Sequence, residues 1–265
     1  MTQFISSRYN PHVQQVRALL NQKSARSEAG LFVVEGVRLA EEALASGHIS
    51  VQVYFSRAIN ERGMKLIEAL ILQGREVFEL SVPVMDSLSA TEASQGILLA
   101  FPQTVTDTPP QTDFVLVLDQ VRDPGNLGTI LRSAAAAGVK VVFLSPGSAD
   151  AFAPKVMRAG MGAHFRLSIH YAGWPEIGRY CRGICQPPLK ILLAESGDGE
   201  ACWQTDLRRP LALIIGGEAE GAGLEARLAM DGLIHIPMPG QFESLNAAVA
   251  TGILLFEVVR QRSQP

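Results

Sequence analysis

Short apolar runs that stop at glycine-rich or polar turns recur along this chain, and stretches of helical periodicity lie between them. That alternation leaves few folds open. A strand that returns parallel to its predecessor needs a crossover connection, and the crossover helices cover the sheet. In the second half the runs fall at 115–118, 139–144, 165–169, 191–194, 211–215 and 233–236. They predict a parallel sheet with helices on both faces. In the first half, strands at 31–34, 51–55, 77–80 and 97–101 alternate with helices at 37–45 and 61–72. This predicts a small parallel or mixed α/β sandwich.

Between the halves, residues 102–113 carry three prolines and little apolar content, as an extended linker does. Two α/β domains are therefore expected, 1–104 and 114–265, joined by a linker at 105–113, and a chain of 265 residues is long enough for both. Residues 1–27 read as a polar helical arm, with Val13, Val16, Leu19 and Leu20 at helical spacing after Asn10-Pro11. A last helix over 245–261 places Leu245, Val249, Ile253, Phe256 and Val259 on one side, while Ala248, Leu254 and Leu255 continue round it. A helix apolar over most of its circumference is buried, either inside its own domain or against another subunit.

Composition excludes several classes. At 47% hydrophobic residues the chain folds nearly throughout. A net charge of −3 gives no sign of a phosphate-rich partner, but the distribution is uneven. Over residues 1–40 the bases Arg8, Arg17, Lys23, Arg26 and Arg38 outnumber Glu28 and Glu35, and such a patch can contact phosphates or simply solvate a helix face. The cysteines, Cys181, Cys185 and Cys202, are an odd set with no His or Cys cluster to complete a metal site, so no metal is expected. The first residues lack the apolar core of a signal peptide, and no run approaches a membrane span. A cytoplasmic protein without a membrane partner is the expectation.

Three turns carry the chemistry. The run ending at Asp119 leads through Pro124-Gly125-Asn126-Leu127-Gly128 into an alanine-rich helix that contains Arg132. Burying a guanidinium there needs an anionic partner, either a phosphate or an internal carboxylate. Gly216-Gly217-Glu218-Ala219-Glu220-Gly221 ends the next apolar run. It lacks the G-x-G-x-x-G spacing of a dinucleotide site, and two acids would repel a pyrophosphate, which argues against a nicotinamide-dependent oxidoreductase. Ile236-Pro237-Met238-Pro239-Gly240 then precedes Ser244-Leu245-Asn246, where Ser244 is a natural N-cap for the last helix.

Taken in order, these turns resemble the motifs of the SpoU (TrmH) branch of the SPOUT methyltransferases, which methylate a ribose 2′-hydroxyl in RNA. The resemblance covers nearly the whole chain. In the first half, Asn10-Pro11, Arg26, Gly30-Leu31-Phe32-Val33-Val34-Glu35-Gly36, Arg38 and Gln95-Gly96-Ile97 are similar to the substrate-binding module often joined to these enzymes. The family's usual Asn-Val-Ser reads Asn246-Ala247-Ala248 here.

The resemblance implies a small N-terminal α/β/α RNA-binding domain and a C-terminal SPOUT parallel-sheet domain with a deep trefoil knot. It also implies a homodimer whose subunits both shape the site, with S-adenosylmethionine as cofactor and RNA, preferably ribosomal, as partner. It assigns Arg132, Asn126, Glu218, Ser244 and Asn246 to catalysis. Ala194, Gly217, Ile236, Met238 and Leu245 are assigned to the cofactor, and Arg26 and Arg38 to RNA, which Arg8 of the basic patch is also expected to meet. A guanidinium rarely loses its proton, so Arg132 is expected to orient the nucleotide and stabilise an emerging alkoxide rather than act as a base. A transfer-RNA methyltransferase and an inactive RNA-binding protein are the alternatives.

Overall fold

The structure is a computed structural model that describes residues 2–89, 94–103, 112–218, 220–240 and 243–264. Most of the linker expected at 105–113 therefore lies outside the described residues. By packing, the chain divides into two compact units: residues 1–104 with Phe152–Phe165, and residues 105–151 with 166–265.

The first unit is built on a five-stranded sheet. Its elements in chain order are β1 (Gln3–Ile5), α1 (Pro11–Asn21), α2 (Lys23–Ala29), β2 (Leu31–Glu35), α3 (Val37–Ala45), β3 (Gln52–Phe55), α4 (Glu61–Leu72), β4 (Glu76–Leu80), α5 (Val82–Asp86) and β5 (Ile97–Pro102). The spatial order is β1-β4-β3-β5-β2, with β1, β4 and β3 parallel and β5 antiparallel to both β3 and β2. The sheet is therefore mixed.

Alternation along the strands fills both faces. Phe32, Val34, Val53, Phe55, Ile97, Leu99 and Phe101 face Ala40 and Ala43 of α3 and Ile67 and Leu70 of α4. Val33, Tyr54, Phe78, Leu80 and Leu98 face Val13, Val16 and Leu19 of α1. The arm expected at 1–27 is thus partly an edge strand, β1, paired with β4, and its helix α1 is a covering layer. Asn10 caps α1 by accepting from His12 N–H, and Pro11 stands at the first helical position, where a missing N–H costs nothing. Within this unit Phe152, Met157 and Phe165 join the core, the Phe152 ring lying 4.9 Å from that of Phe32. Two of these three flank α7 (Pro154–Gly160) and the third lies in it, a segment that chain order alone gives no reason to place here.

The second unit comprises β6 (Phe114–Asp119), α6 (Pro124–Ala136), β7 (Val141–Leu144), β8 (Ser168–Tyr171), α8 (Trp174–Arg179), β9 (Lys190–Ala194), β10 (Glu200–Ala201), β11 (Leu211–Gly216), α9 (Leu224–Ala229), β12 (Gly232–His235) and α10 (Ala247–Arg262). The sheet order is β10-β12-β9-β11-β6-β7-β8, and every described pairing is parallel. On one face Val115, Val117, Phe143, Ile191, Leu193, Ala212 and Ile214 pack against Trp174, Ile177, Tyr180, Cys181 and Ala226. On the other, α10 packs on α6 and touches β11. The run expected at 165–169 begins later, at Ser168, because Ala163–Phe165 forms a 3-10 turn.

The chain runs from β6 outward to β8, then crosses to β9 and inserts β11 between β9 and β6. A reversal of this kind leaves a crevice beyond the carboxyl ends of the strands, where ligands of open α/β sheets bind. The turns after β6, β9, β11 and β12 all open there.

Candidate active site

A cavity of about 710 Å³ lies among the loops that follow β9, β11 and β12 and the start of α10. Ala194, Gly217, Ile236, Met238 and Leu245 line it, together with Glu218, Ser244 and Asn246. The structure thus gathers every residue expected at the cofactor and three of the five expected at the chemistry.

Glycine is required where these loops cross. A Cβ on Gly217 would lie 2.5 Å from the backbone oxygen of Gln120, and one on Gly216 would lie 2.4 Å from Ala222 N. Neither neighbour can yield, because both are backbone atoms. The partner segment is itself constrained: Gln120 holds φ +59, a left-handed backbone that few non-glycine residues adopt. Gly217 and Gly221 exchange N–H···O bonds at 3.1 Å, closing the turn, while Ala219 within it lies outside the described residues.

Beneath this crossing sits Asp119, 1% exposed, whose carboxylate accepts from Trp174 Nε1 at 3.2 Å and Gly223 N at 2.8 Å. It ties the end of β6 to the loop that shapes the cavity.

At the cavity mouth three side chains form a relay. Asn246 Nδ2 donates to Asn126 Oδ1 at 3.0 Å, and Asn126 Nδ2 donates to Glu218 Oε1 at 2.9 Å. Asn246 is also the N-cap of α10, its Oδ1 accepting from Ala248 N and Val249 N. The cap expected of Ser244 therefore belongs to Asn246, and α10 starts at Ala247 rather than at 245. One amide satisfies the helix end through its oxygen and orients the site through its nitrogen. Asn126 is fixed in turn because its own N–H donates to Asp123 Oδ1, the cap of α6.

Arg132 departs from expectation. It is exposed, with no hydrogen bond or ion pair among the described residues, so neither burial nor an internal carboxylate explains it. Six residues beyond Asn126 on α6, it stands about 9 Å further along the helix axis and does not line the cavity. Among the residues expected to meet RNA, Arg8 and Arg38 are exposed. Arg26 is 4% exposed and its Nη1 donates to Leu19 O. Its guanidinium closes the α1–α2 corner inside the module and is not presented to a phosphate.

Sequence reasoning passed over Glu195, Asp198 and Arg227, which also line the cavity, as does Glu220. Arg227 makes a two-pronged ion pair with Glu195, which raises the guanidinium's pKa, and its Nε donates to Ala222 O. Glu195 follows directly on Ala194 at a strand end, and that position alone could have marked it. Arg227 sits on a short helix with no such signal.

Among the described residues no helix is long and apolar enough to cross a membrane, and no group of three or more His, Cys, Asp or Glu could hold a metal ion.

A parallel sheet with a reversed strand order, a loop-built cavity at its carboxyl edge and an amide–carboxylate relay beside it define the second unit as an open α/β domain with a ligand-sized site. Residues 113–256 match the SpoU rRNA Methylase family, and residues 10–99 match an MRM3-like substrate binding domain. The chain belongs to the SpoU family.

Curated relatives extend over nearly its whole length. An uncharacterized tRNA/rRNA methyltransferase of Synechocystis is 31% identical over 97% of this chain and 94% of the relative. The 23S rRNA (guanosine(2553)-2′-O)-methyltransferase RlmP of Bacillus subtilis is 32% identical over 90% of this chain and 92% of the relative. Among solved structures, the AdoMet-bound rRNA methyltransferase from Sinorhizobium meliloti superposes with a TM-score of 0.86 at 30% identity, covering 98% of each chain.

Proposed function

We propose that this protein transfers a methyl group from S-adenosylmethionine to a ribose 2′-hydroxyl of ribosomal RNA, in the cytoplasm and as a homodimer. The observation that carries the proposal is the relay from Asn246 through Asn126 to Glu218, at the mouth of a cavity of about 710 Å³. The cavity suits a nucleoside with an amino-acid tail: apolar Ile236, Met238, Leu245 and Leu254 line it together with ionisable groups, and backbone approaches closely at Gly216 and Gly217. When bound, S-adenosylmethionine supplies an electrophilic methyl on a positive sulfur.

The protein's task is alignment more than covalent participation. The relay holds the Glu218 carboxylate at a fixed orientation beside the cavity, where it can accept a hydrogen bond from a ribose hydroxyl. Ser244 adds a hydroxyl at the same rim. Arg132, free and permanently charged, is suited to orient the phosphate next to the reacting ribose and to stabilise developing alkoxide. Because it does not line the cavity of its own chain, we assign it to the cavity of the second subunit.

The ribosomal preference rests on the names of the relatives and on the N-terminal module. The trefoil knot is proposed with the SPOUT assignment. The deciding experiment is transfer of radiolabelled methyl from S-adenosylmethionine to ribosomal and transfer RNA lacking the host's modifications, with nucleoside analysis. Label on a ribose 2′-oxygen of ribosomal RNA is expected. Label confined to transfer RNA would move the substrate, and cofactor binding without label on any RNA would favour an inactive RNA-binding protein.

A further inference from the structure

The cavity wall carries more charge than holding a nucleoside needs. Glu195, Asp198, Glu218 and Glu220 line it with Arg227 as the one base among its described residues, so four carboxylates face one guanidinium and the lining is formally −3. The pairing is uneven. Arg227 is committed to Glu195. Glu220 stands 3.5 Å from Arg122, and both are exposed. Glu218 receives only the neutral Asn126 amide in the described contacts, and Asp198 has no hydrogen bond or ion pair among the described residues. Among the described residues Glu218 thus has no ion pair, and Asp198 acts on Arg227 only at longer range, without a direct contact.

We propose that this acidic wall selects the charge state of the cofactor, favouring the cationic substrate over the neutral product. The inference rests on reading the cavity as the S-adenosylmethionine site. S-adenosylmethionine carries a sulfonium, an ammonium and a carboxylate, and is net positive. In methyl transfer an O–CH3 bond forms as the S–CH3 bond breaks, the bonding pair stays on sulfur as a neutral thioether, and the hydroxyl proton passes to solvent. S-adenosylhomocysteine is therefore net neutral, and the two ligands differ by one methyl and one unit of charge. An apolar wall distinguishes them by little, whereas a field of fixed carboxylates acts on the charge. A unit charge ~7 Å away in a water-like medium changes affinity about threefold, and salt weakens the effect.

Arg227 then has a defined part. By neutralising Glu195 it limits the field, so it sets the magnitude of the preference as well as pinning the loop through Ala222 O. This predicts effects of opposite sign. Removing an acid lowers the preference for S-adenosylmethionine over S-adenosylhomocysteine, and removing Arg227 raises it. A merely structural role for these residues would weaken both ligands together and leave their ratio unmoved.

The test is calorimetric, with full-length protein and both ligands, at low and high salt. Asp198→Asn and Glu195→Gln are each expected to lower the ratio of affinities about threefold, and Arg227→Gln to raise it by a similar factor. All three changes should shrink at high salt. Sinefungin, in which a cationic amine replaces the sulfonium, should follow S-adenosylmethionine across the series. Ratios that stay constant in all three variants overturn the inference and leave the cavity's assignment standing. Failure of the unmodified protein to bind any of the ligands overturns both.

Discussion

Arg132 holds a permanent charge in solvent on an otherwise alanine-rich helix, with no described partner in its own chain. Nothing in the fold needs it, so its removal tests function cleanly. Arg132→Ala is expected to change unfolding free energy by no more than about 0.5 kcal/mol, as for an exposed site. Methyl transfer should fall about 100-fold or more, the loss typical of a donor aimed at developing charge. Affinity for S-adenosylmethionine should change little, and Arg132→Lys should not restore the rate, because an ammonium cannot reproduce the planar fork. Undiminished methylation by the alanine variant would remove Arg132 from the mechanism. Asp119 presents the opposite case. It is buried, and two donors, Trp174 Nε1 and Gly223 N, depend on it. Asp119→Ala strands both, at a cost of about 1–3 kcal/mol for each buried group left unsatisfied. Urea unfolding should report that loss, and calorimetry should show weakened cofactor binding, since the loop through Gly223 loses its tether. A variant with native stability and affinity would show that the tether is dispensable.

At the scale of elements, α10 shows how charge and capping fix a helix whose apolar pattern runs nearly all round. Asn246 caps one end, and near the other Glu257, 8% exposed, accepts from Arg260 and Gln261. The bond from Arg260 holds the Glu257 carboxyl below the usual carboxylate range. A depressed folded-state pKa adds stability that is complete above the unfolded value of about 4.3 and is lost as pH falls through the lower folded value. Glu257→Gln should therefore reduce the urea midpoint at pH 7 and narrow its gap to the unmodified protein as pH approaches 3. A gap that does not depend on pH would rule out the carboxylate as its source. The strands were readable from the residues because β-branched runs and turns punctuate them: 211–215 and 31–34 each fall within one residue of the observed β11 and β2. β1 and β10 escaped because runs of three and two residues carry no periodicity. The relay was legible only as three motifs. That Asn246, not Ser244, caps α10 depends on where the chain enters the helix, which composition does not encode. Arg26 was misplaced for a related reason, since charge alone cannot say which arginine turns inward to close a corner. The short π-helical turn Tyr180–Ile184 was equally silent in sequence. Burial there pushes the Cys181 thiol up to about 12. With all three cysteines buried, a thiol reagent at pH 8 should label the folded protein slowly and the urea-unfolded protein at three sites.

For the whole molecule, the decisive feature is the side of α10 that its own unit does not cover. Val249, Ile253 and Phe256 fall on one stripe and remain 52%, 38% and 50% exposed, and Leu245, just ahead of the helix at the cavity, is 37% exposed, whereas Leu254, Leu255 and Val258 are buried. The sequence grouped these residues with Val259 on one face and predicted their burial inside the domain or against a subunit. The fold leaves them partly exposed, which supports the homodimer proposed above. A stripe of this kind beside a functional site is unfavourable in water and marks an interface. In the proposed homodimer Arg132 gives that interface a chemical role, because it stands on α6, the helix packed against α10, and does not line the cavity of its own chain. If each cavity takes its arginine from the other subunit, a dimer of two differently inactive chains regains one complete site. Arg132→Ala supplies an intact cavity without the arginine, and Glu218→Gln supplies the arginine with a disabled cavity. Co-expressed with different tags and purified as the mixed dimer, the pair should methylate RNA at about half the rate of the unmodified dimer, since a two-fold arrangement leaves one of two sites whole. Each homodimer should remain inactive. If both residues instead serve the same cavity within one chain, neither site of the mixed dimer is whole and no activity returns. Phe256→Glu, which places a charge on the stripe, should convert the dimer to monomer in analytical ultracentrifugation and remove methyl transfer while leaving the far-ultraviolet spectrum unchanged. A monomeric variant with full activity would show that one chain completes the site alone.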